Sequence, residues 1–314
     1  MANNTIIKKI FAASPYIEVI CRKIYWSNIG IWQNIKNKRV KASEFDKSQI
    51  DYEAIRKFLV KNGAKKNGVL LVHSAFSSLR GRGKTAADVV DFLLDIVGPQ
   101  GTLAMPSMPR FKNAVEKTEY LRSSNSEVVY EYDVQKTKVK TGVLPFTLNK
   151  RKDSKRSRHP INTMTALGPL AEFFFHGNLD GESPLACGSN SSWKRCVDSD
   201  ALIVGLGTDL THSLTAIHVV EDVKDQNWPV KNWYIEKKFR IIDGDFSELK
   251  TLRERAPKWG ALHFAERTLC RDLISTGILR STEIDGVLVE ALKAKELIDY
   301  LNERNHKGYP YYLV

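Results

Sequence analysis

The sequence predicts an α/β protein: one α/β/α layered domain with a mixed central sheet, preceded by a basic N-terminal extension. Short apolar runs closed by Gly or Pro alternate with amphipathic stretches that open on helix-capping residues. A chain of 314 residues, 42% hydrophobic and 27% charged, can bury a core of that size. Residues 1–45 stand apart, with eight Lys/Arg against two Glu and aromatic residues (Phe11, Tyr16, Tyr25, Trp26, Trp32) between the charges. The domains are therefore placed at 1–45, the extension, and 46–314, the main domain. An arm of this composition can lie on the core, on a sister subunit or on a membrane surface.

The core opens near Asp51, which can cap a helix bearing Ile55, Phe58 and Leu59. A strand at Val69 to Val72 runs into the loop His73-Ser-Ala-Phe-Ser-Ser-Leu79. Thr85 and Asp88 have capping-box spacing for a helix that stops at Gly98, and Gly101-Thr-Leu-Ala-Met-Pro106 reads as a second strand. Residues 107–140 are polar and aperiodic, and predict a long excursion able to cover a substrate. A short helix follows Gly142, a strand covers Thr163 to Leu167, and a helix covers Pro169 to Phe175. Ala201 to Val204 predicts a buried strand, Phe239 to Ile242 another, and Leu262 to Ile274 a helix.

Composition narrows the function. No apolar stretch approaches the roughly 20 residues of a membrane span. Lys8, Lys9 and Glu18 interrupt any signal-peptide core. Cys21, Cys187, Cys196 and Cys270 show no CxxC spacing, so neither a metal nor a disulfide framework is expected, and a cytoplasmic setting is the simplest. The net charge of +12 favours anionic partners. No nucleic-acid-binding module is recognisable, so nucleic acid is not an expected partner and phosphate-bearing small molecules are.

The segment Ala201-Leu-Ile-Val-Gly-Leu-Gly207 is a strand with a tight turn, followed by a helix that Thr211 or Ser213 can cap. That helix carries His218 and Glu221 at i and i+3, on one face and within mutual reach. A base held by an acid just beyond the carboxyl end of a strand suits proton removal. Two other motifs fail. Ser78-Leu-Arg-Gly-Arg-Gly83-Lys84-Thr85 has Ser where a Walker loop needs its first Gly, and Gly205-x-Gly207 has Leu210 at the third Gly of a dinucleotide fingerprint.

Three motifs occur together in order: His73-Ser74-Ala-Phe-Ser77-Ser78-Leu79, then Val97-Gly-Pro-Gln-Gly-Thr102-Leu-Ala-Met105-Pro106, then Arg158-His159-Pro160 ahead of Gly181-Glu-Ser183-Pro184 and Thr215-Ala-Ile-His218-Val-Val-Glu221. Over about residues 50–270 the chain resembles the aminoglycoside N3-acetyltransferase (antibiotic N-acetyltransferase) family. The resemblance implies a layered α/β/α fold, acetyl-CoA as acyl donor, and direct transfer to a primary amine without a covalent acyl-enzyme. It implies His218 as general base with Glu221 orienting it, and His159, Ser183 and Thr215 lining the acceptor. It implies that His73, Ser74, Ser77, Ser78 and Leu79, with Thr102, Met105 and Pro106, line the pantetheine and pyrophosphate of CoA.

The acceptor is read from charge. Lys150 to Arg158 holds six Lys/Arg against one Asp and can act as a phosphate clamp, whereas aminoglycosides are polycations that need acidic clefts. The expected acceptor is therefore a nucleotide-linked (dTDP-type) amino-deoxy sugar for capsule or O-antigen synthesis, with Phe111, Tyr120, Tyr130 and Tyr132 available to stack on its base. Two alternatives stay open: an aminoglycoside 3-N-acetyltransferase conferring antibiotic resistance, and a catalytically silent relative that binds CoA or an anionic surface. Membrane contact by the arm and a homo-oligomer are left open as well.

Overall fold

Strands without a polar face have to be covered on both sides, and helices do the covering here. The structure is a computed structural model describing residues 12–29, 48–112, 121, 128–224 and 228–313. Helix α1 (Pro15–Ser27) starts at Ser14, whose hydroxyl accepts the Tyr16 N–H. Helix α2 (Tyr52–Lys61) is capped by Asp51, which accepts the Ala54 N–H at 2.9 Å. Strand β1 (Val69–Ser74) and a 3-10 turn at Phe76–Ser78 lead to α3 (Ala86–Val97). The α3 capping box is complete: Thr85 Oγ1 accepts the Asp88 N–H at 3.2 Å, and Asp88 accepts the Thr85 N–H at 2.8 Å.

Strands β2 (Thr102–Pro106) and β3 (Val129–Asp133) precede α4 (Val143–Asn149), β4 (Lys155–Arg156) and β5 (Met164–Leu167). Helices α5 (Ala171–Phe175) and α6 (Ser192–Asp198) lead to β6 (Leu202–Leu206) and α7 (His218–Val223). A hairpin, β7 (Tyr234–Asp243) and β8 (Phe246–Arg255), is followed by α8 (Glu266–Ser275), β9 (Arg280–Ile284), β10 (Val287–Lys293) and α9 (Ala294–His306).

The main sheet has seven strands in the order β4-β5-β2-β1-β6-β10-β9. β1 is parallel to both β2 and β6, and the outer pairs are antiparallel, so the sheet is mixed. The chain leaves β1 for β2 on one side and later returns to β6 on the other. The carboxyl ends of β1 and β6 therefore flank a topological switch point, level with each other because Ser74 pairs with Leu206. Alternate residues of β1 enter opposite cores: Leu70 and Val72 join Ile55, Leu59 and Leu93, while Val69 and Leu71 join Trp193, Phe174 and Leu273.

The second sheet, β3-β7-β8, was not expected. The stretch 239–242 is a strand, but it belongs to this separate layer, and part of the aperiodic excursion forms β3 beside it. Tyr130 and Tyr132 alternate with exposed Glu131 and are buried, with the Tyr132 hydroxyl donating to the Ser157 carbonyl at 2.7 Å. Phe111 packs on Tyr130 at 5.3 Å between ring centres. These rings fill the core and are not presented to a nucleobase; Tyr120 lies outside the described residues. Two other expectations shift locally. Neither Thr211 nor Ser213 caps α7, because two 3-10 turns (Leu210–His212 and Thr215–Ile217) intervene and His218 itself opens the helix. The helix expected over 262–274 is split into a π turn at Trp259–His263 and α8.

The described part of the N-terminal arm is docked. Glu18 is buried and accepts the Arg267 N–H, the Thr268 N–H and the Thr268 hydroxyl, each at 2.9 Å, at the start of α8. It thereby supplies the negative charge that a helix N-terminus favours. Arg22 pairs with Glu18 and Glu266 and donates to the Gly260 carbonyl. Lys8, Lys9, Phe11, Trp32 and the boundary at 45/46 lie outside the described residues. Among the described residues no helix is long and apolar enough to cross a membrane. Replacing Glu18 by Ala leaves buried N–H groups unpaired and should cost about 1–3 kcal/mol of stability, read from chemical denaturation. An unchanged midpoint would mean that α1 does not rest on α8 in solution.

Candidate active site

The turn out of β6 is built for close approach. Gly207 has φ +71°, and a Cβ there would lie 2.1 Å from Ser78 Oγ and 2.9 Å from the Ala75 carbonyl oxygen. Ser78 Oγ sits 2.7 Å from that oxygen and 3.0 Å from the Gly207 carbonyl oxygen, tying the loop after β1 to the turn after β6. Buried Glu290 on β10 accepts the Leu210 N–H at 2.7 Å and fixes the next turn. Together these contacts deliver His218 to the first position of α7.

His218 Nδ1 lies 2.8 Å from Glu221 Oε2. Glu221 is only 3% exposed, and its other oxygen accepts the Tyr312 hydroxyl at 2.6 Å. Arg255 Nη1 donates to the same Tyr312 oxygen at 2.8 Å. Tyr312 is held by stacking on Phe264 (4.6 Å) and an edge contact with Trp233 (5.0 Å). Burial raises the cost of ionising Glu221, but His218, Arg255 and the Tyr312 hydroxyl outweigh it and keep the carboxyl below its usual range. Burial, with the Arg255 charge, lowers the pKa of His218, so its imidazole is neutral near pH 7. With Glu221 accepting from Nδ1–H, the tautomer leaves Nε2 as a free base.

His218, Glu221, Arg255 and Phe264 line a cleft of about 380 Å³ together with Thr215, Asp222, Arg22 and Trp26, while Tyr312 contacts Glu221 from outside that lining. Four carboxyl groups (Glu221, Asp222, Glu254, Glu266) and three guanidinium groups (Arg22, Arg253, Arg255) lie in its walls. Asp222 accepts the Cys187 N–H and the Tyr234 hydroxyl, each at 2.9 Å. Burial, then the neighbouring Glu221 charge, push its carboxyl up to about 7. Ser183 lines an adjoining hollow of about 290 Å³ that shares Asp222 and Arg253 with the cleft. Among the described residues no three metal-binding side chains gather.

The remaining predicted residues lie elsewhere. His159 is buried, with Nδ1 3.0 Å from the Ile161 carbonyl oxygen and Nε2 3.1 Å from that of Pro184, so both nitrogens are engaged by backbone. His73 Nε2 and Ser74 Oγ, at the carboxyl end of β1, are buried without a protein partner, as is Ser107 Oγ just past β2. Ser77 is exposed and Leu79 fully buried. Met105 and Pro106 end β2, whereas Thr102 begins it, at the opposite end of the strand, and accepts the Leu170 N–H at 3.0 Å. Sequence reasoning missed Asp222, Arg255, Glu290 and Tyr312, although Asp222 sits directly beside the paired Glu221.

The basic run does not form a clamp. Arg151 pairs with Asp91, Lys155 with Glu172 and Arg158 with Asp243. Arg156 is buried and donates to the Val134, Thr137 and Ser107 carbonyls. The charges counted in the sequence are largely spent within the fold.

A sequence profile described as aminoglycoside 3-N-acetyltransferase matches residues 71–305. Aminoglycoside N(3)-acetyltransferase IX of Micromonospora chalcea is 25% identical over 251 residues, covering 73% of this chain and 85% of its own. Aminoglycoside N(3)-acetyltransferase IV of Salmonella sp. is 26% identical over 238 residues, covering 70% and 83%. In fold, the chain resembles the crystal structure of aminoglycoside acetyltransferase AAC(3)-IIb (TM-score 0.65, 21% identity, 85% of this chain and 99% of that one). It likewise resembles AAC-IIIb in a binary complex with CoASH (TM-score 0.63, 20% identity, 81% and 96%).

The relay generates a pH test. Activity that needs neutral His218 should fall as pH drops through a value below the ordinary 6.5. Replacing Arg255 by Gln removes a cation that opposes protonation, so the acid limb of kcat/KM should move to higher pH. Replacing Tyr312 by Phe should lower kcat on the order of tenfold, through loss of one hydrogen bond to a charged group. An unmoved acid limb in the Arg255 variant would separate that residue from the base.

Proposed function

Because the chain belongs to the aminoglycoside 3-N-acetyltransferase family, whose profile spans more than half of it, we propose that it acetylates the 3-amino group of an aminoglycoside and so confers resistance to the drug. It is an acetyl-CoA-dependent N-acyltransferase, with acetyl-CoA as co-substrate. The observation that carries the mechanistic reading is the buried Tyr312–Glu221–His218 chain, which ends in a neutral base at the cleft.

The expected nucleotide-linked acceptor is corrected. The matched family and the two relatives named with it are aminoglycoside 3-N-acetyltransferases. The physical reason is that net charge is a property of the whole surface, whereas recognition is local. Four of the six cations of the basic run are engaged within the fold, and the cleft wall carries four carboxyl groups against three guanidinium groups, so it offers acidic partners to a polycation.

An alkylammonium must lose a proton before it can attack. His218 Nε2 takes that proton, and Glu221, held ionised by Tyr312 and Arg255, offsets the charge that forms on the imidazole. The Arg255 charge keeps the imidazolium transient, favouring transfer of the proton to the departing thiolate. Acetyl-CoA supplies the acyl carbonyl. The unpartnered His73 Nε2 and Ser74 Oγ suit its amide-bearing arm, and we assign the carboxyl end of β1 to that role. His159 supports the acceptor side through the Pro184 backbone beside Ser183, and Thr215 forms part of the cleft wall. Asp222 is the expected partner of an acceptor ammonium.

Cys187 is buried and its thiol is pushed well above its usual range, chiefly by burial, so it is not the nucleophile in this scheme. Initial-rate plots for acetyl-CoA and kanamycin or gentamicin should intersect, as ternary-complex kinetics require; parallel lines with acetyl-Cys187 in a mass spectrum would overturn direct transfer. Replacing His218 by Ala should lower kcat by about 10²–10⁴-fold. The acceptor KM should fall as pH rises through about 7, where Asp222 ionises, and replacing Asp222 by Asn should flatten that dependence. Absence of thiol release with every aminoglycoside tried would sink the proposed activity.

A further inference from the structure

We propose that the outer face of α1 docks the protein on an anionic lipid bilayer. The helix has two distinct faces. Glu18, Val19 and Arg22 face the protein, with Glu18 anchored on α8 as described. On the opposite face, Tyr16, Ile20 and Ile24 follow one another at four-residue spacing beside Ile17, and are 68%, 57%, 56% and 41% exposed respectively. Four large apolar side chains in one ridge are more than the scattered exposed residues of an ordinary surface.

Charge selects the occupant. The only acid of α1 is Glu18, which is turned inward, while Lys23 is exposed on the outside. Half of the net charge of +12 resides in the first 45 residues. An apolar ridge beside an exposed cation, with no outward acid on the helix, fits the interfacial zone of a bilayer, where the ridge enters the acyl boundary and cations meet anionic headgroups. A second copy of this chain fits poorly. Ridge-to-ridge pairing would bring two cationic arms together, and four side chains on each copy fall short of the roughly 800 Å² per partner of a stable interface. The inward face of the same helix contributes Arg22 and Trp26 to the cleft, so docking would hold the active site close to the headgroups.

The test uses the full chain and flotation with two vesicle types: phosphatidylcholine alone, and phosphatidylcholine with phosphatidylglycerol in equal parts. The protein should float with the second type, be released by salt, and stay behind with the first. A double variant, Ile20→Glu with Ile24→Glu, should lose at least about tenfold in partitioning. Its thermal midpoint and acetyl transfer should match the parent, since both positions face away from core and cleft. Failure to float with either vesicle would overturn the proposal, as would flotation that the double variant leaves intact. Concentration-dependent dimers abolished by the double variant, without vesicle binding, would assign the ridge to self-association instead.

Discussion

An ionised carboxylate taken out of water survives only if other groups replace its hydration, and Glu221 is the place where this chain meets that demand. Its oxygens are engaged by His218, three residues away on the same helix, and by Tyr312, ninety-one residues downstream. Arg255 approaches from the end of β8 and donates to Tyr312. One short helix, one hairpin strand and the chain's C-terminal tail therefore converge on a single charge. Removing any of them would leave the others with a buried polar group unsatisfied, so the base and the local fold are stabilised by the same contacts.

The sheet topology explains why this convergence lies where a substrate can reach it. The connections of the neighbouring parallel strands β1 and β6 run to opposite sides of the sheet, and their carboxyl ends lie level with each other. The chain leaves β6 through Gly207, where no side chain would fit, and passes through two tight turns before α7 begins. Those turns carry the base to the cleft bounded by Thr211 to Thr215, the end of β8 and α1. A helix capped at Thr211 would have begun two turns earlier and aimed His218 differently.

Much of this was readable from residues in order, because the signals were local. The Asp51 cap, the Thr85/Asp88 box, and the apolar runs at 69–72, 101–106 and 201–204 each depend on neighbours within a few positions. The His218/Glu221 pair was visible for the same reason. What stayed hidden depends on pairing at a distance. The strand β3 looked like a polar loop because only Tyr130 and Tyr132 face inward, and Tyr312 and Arg255 carry no motif of their own. Acceptor charge was misread in the same way: Arg156 looks like a free cation in sequence, whereas in the fold its guanidinium is consumed by three backbone carbonyls.

Arg22 and Trp26 belong to a helix that precedes the stretch shared with the family, yet they form part of the cleft wall. An enzyme built only from the shared stretch would be missing this wall. A small molecule contoured to the indole of Trp26 and the paired guanidinium of Arg22 would accordingly discriminate this protein from relatives without such a helix. Selectivity against such relatives would rest on the N-terminal helix and not on the catalytic machinery.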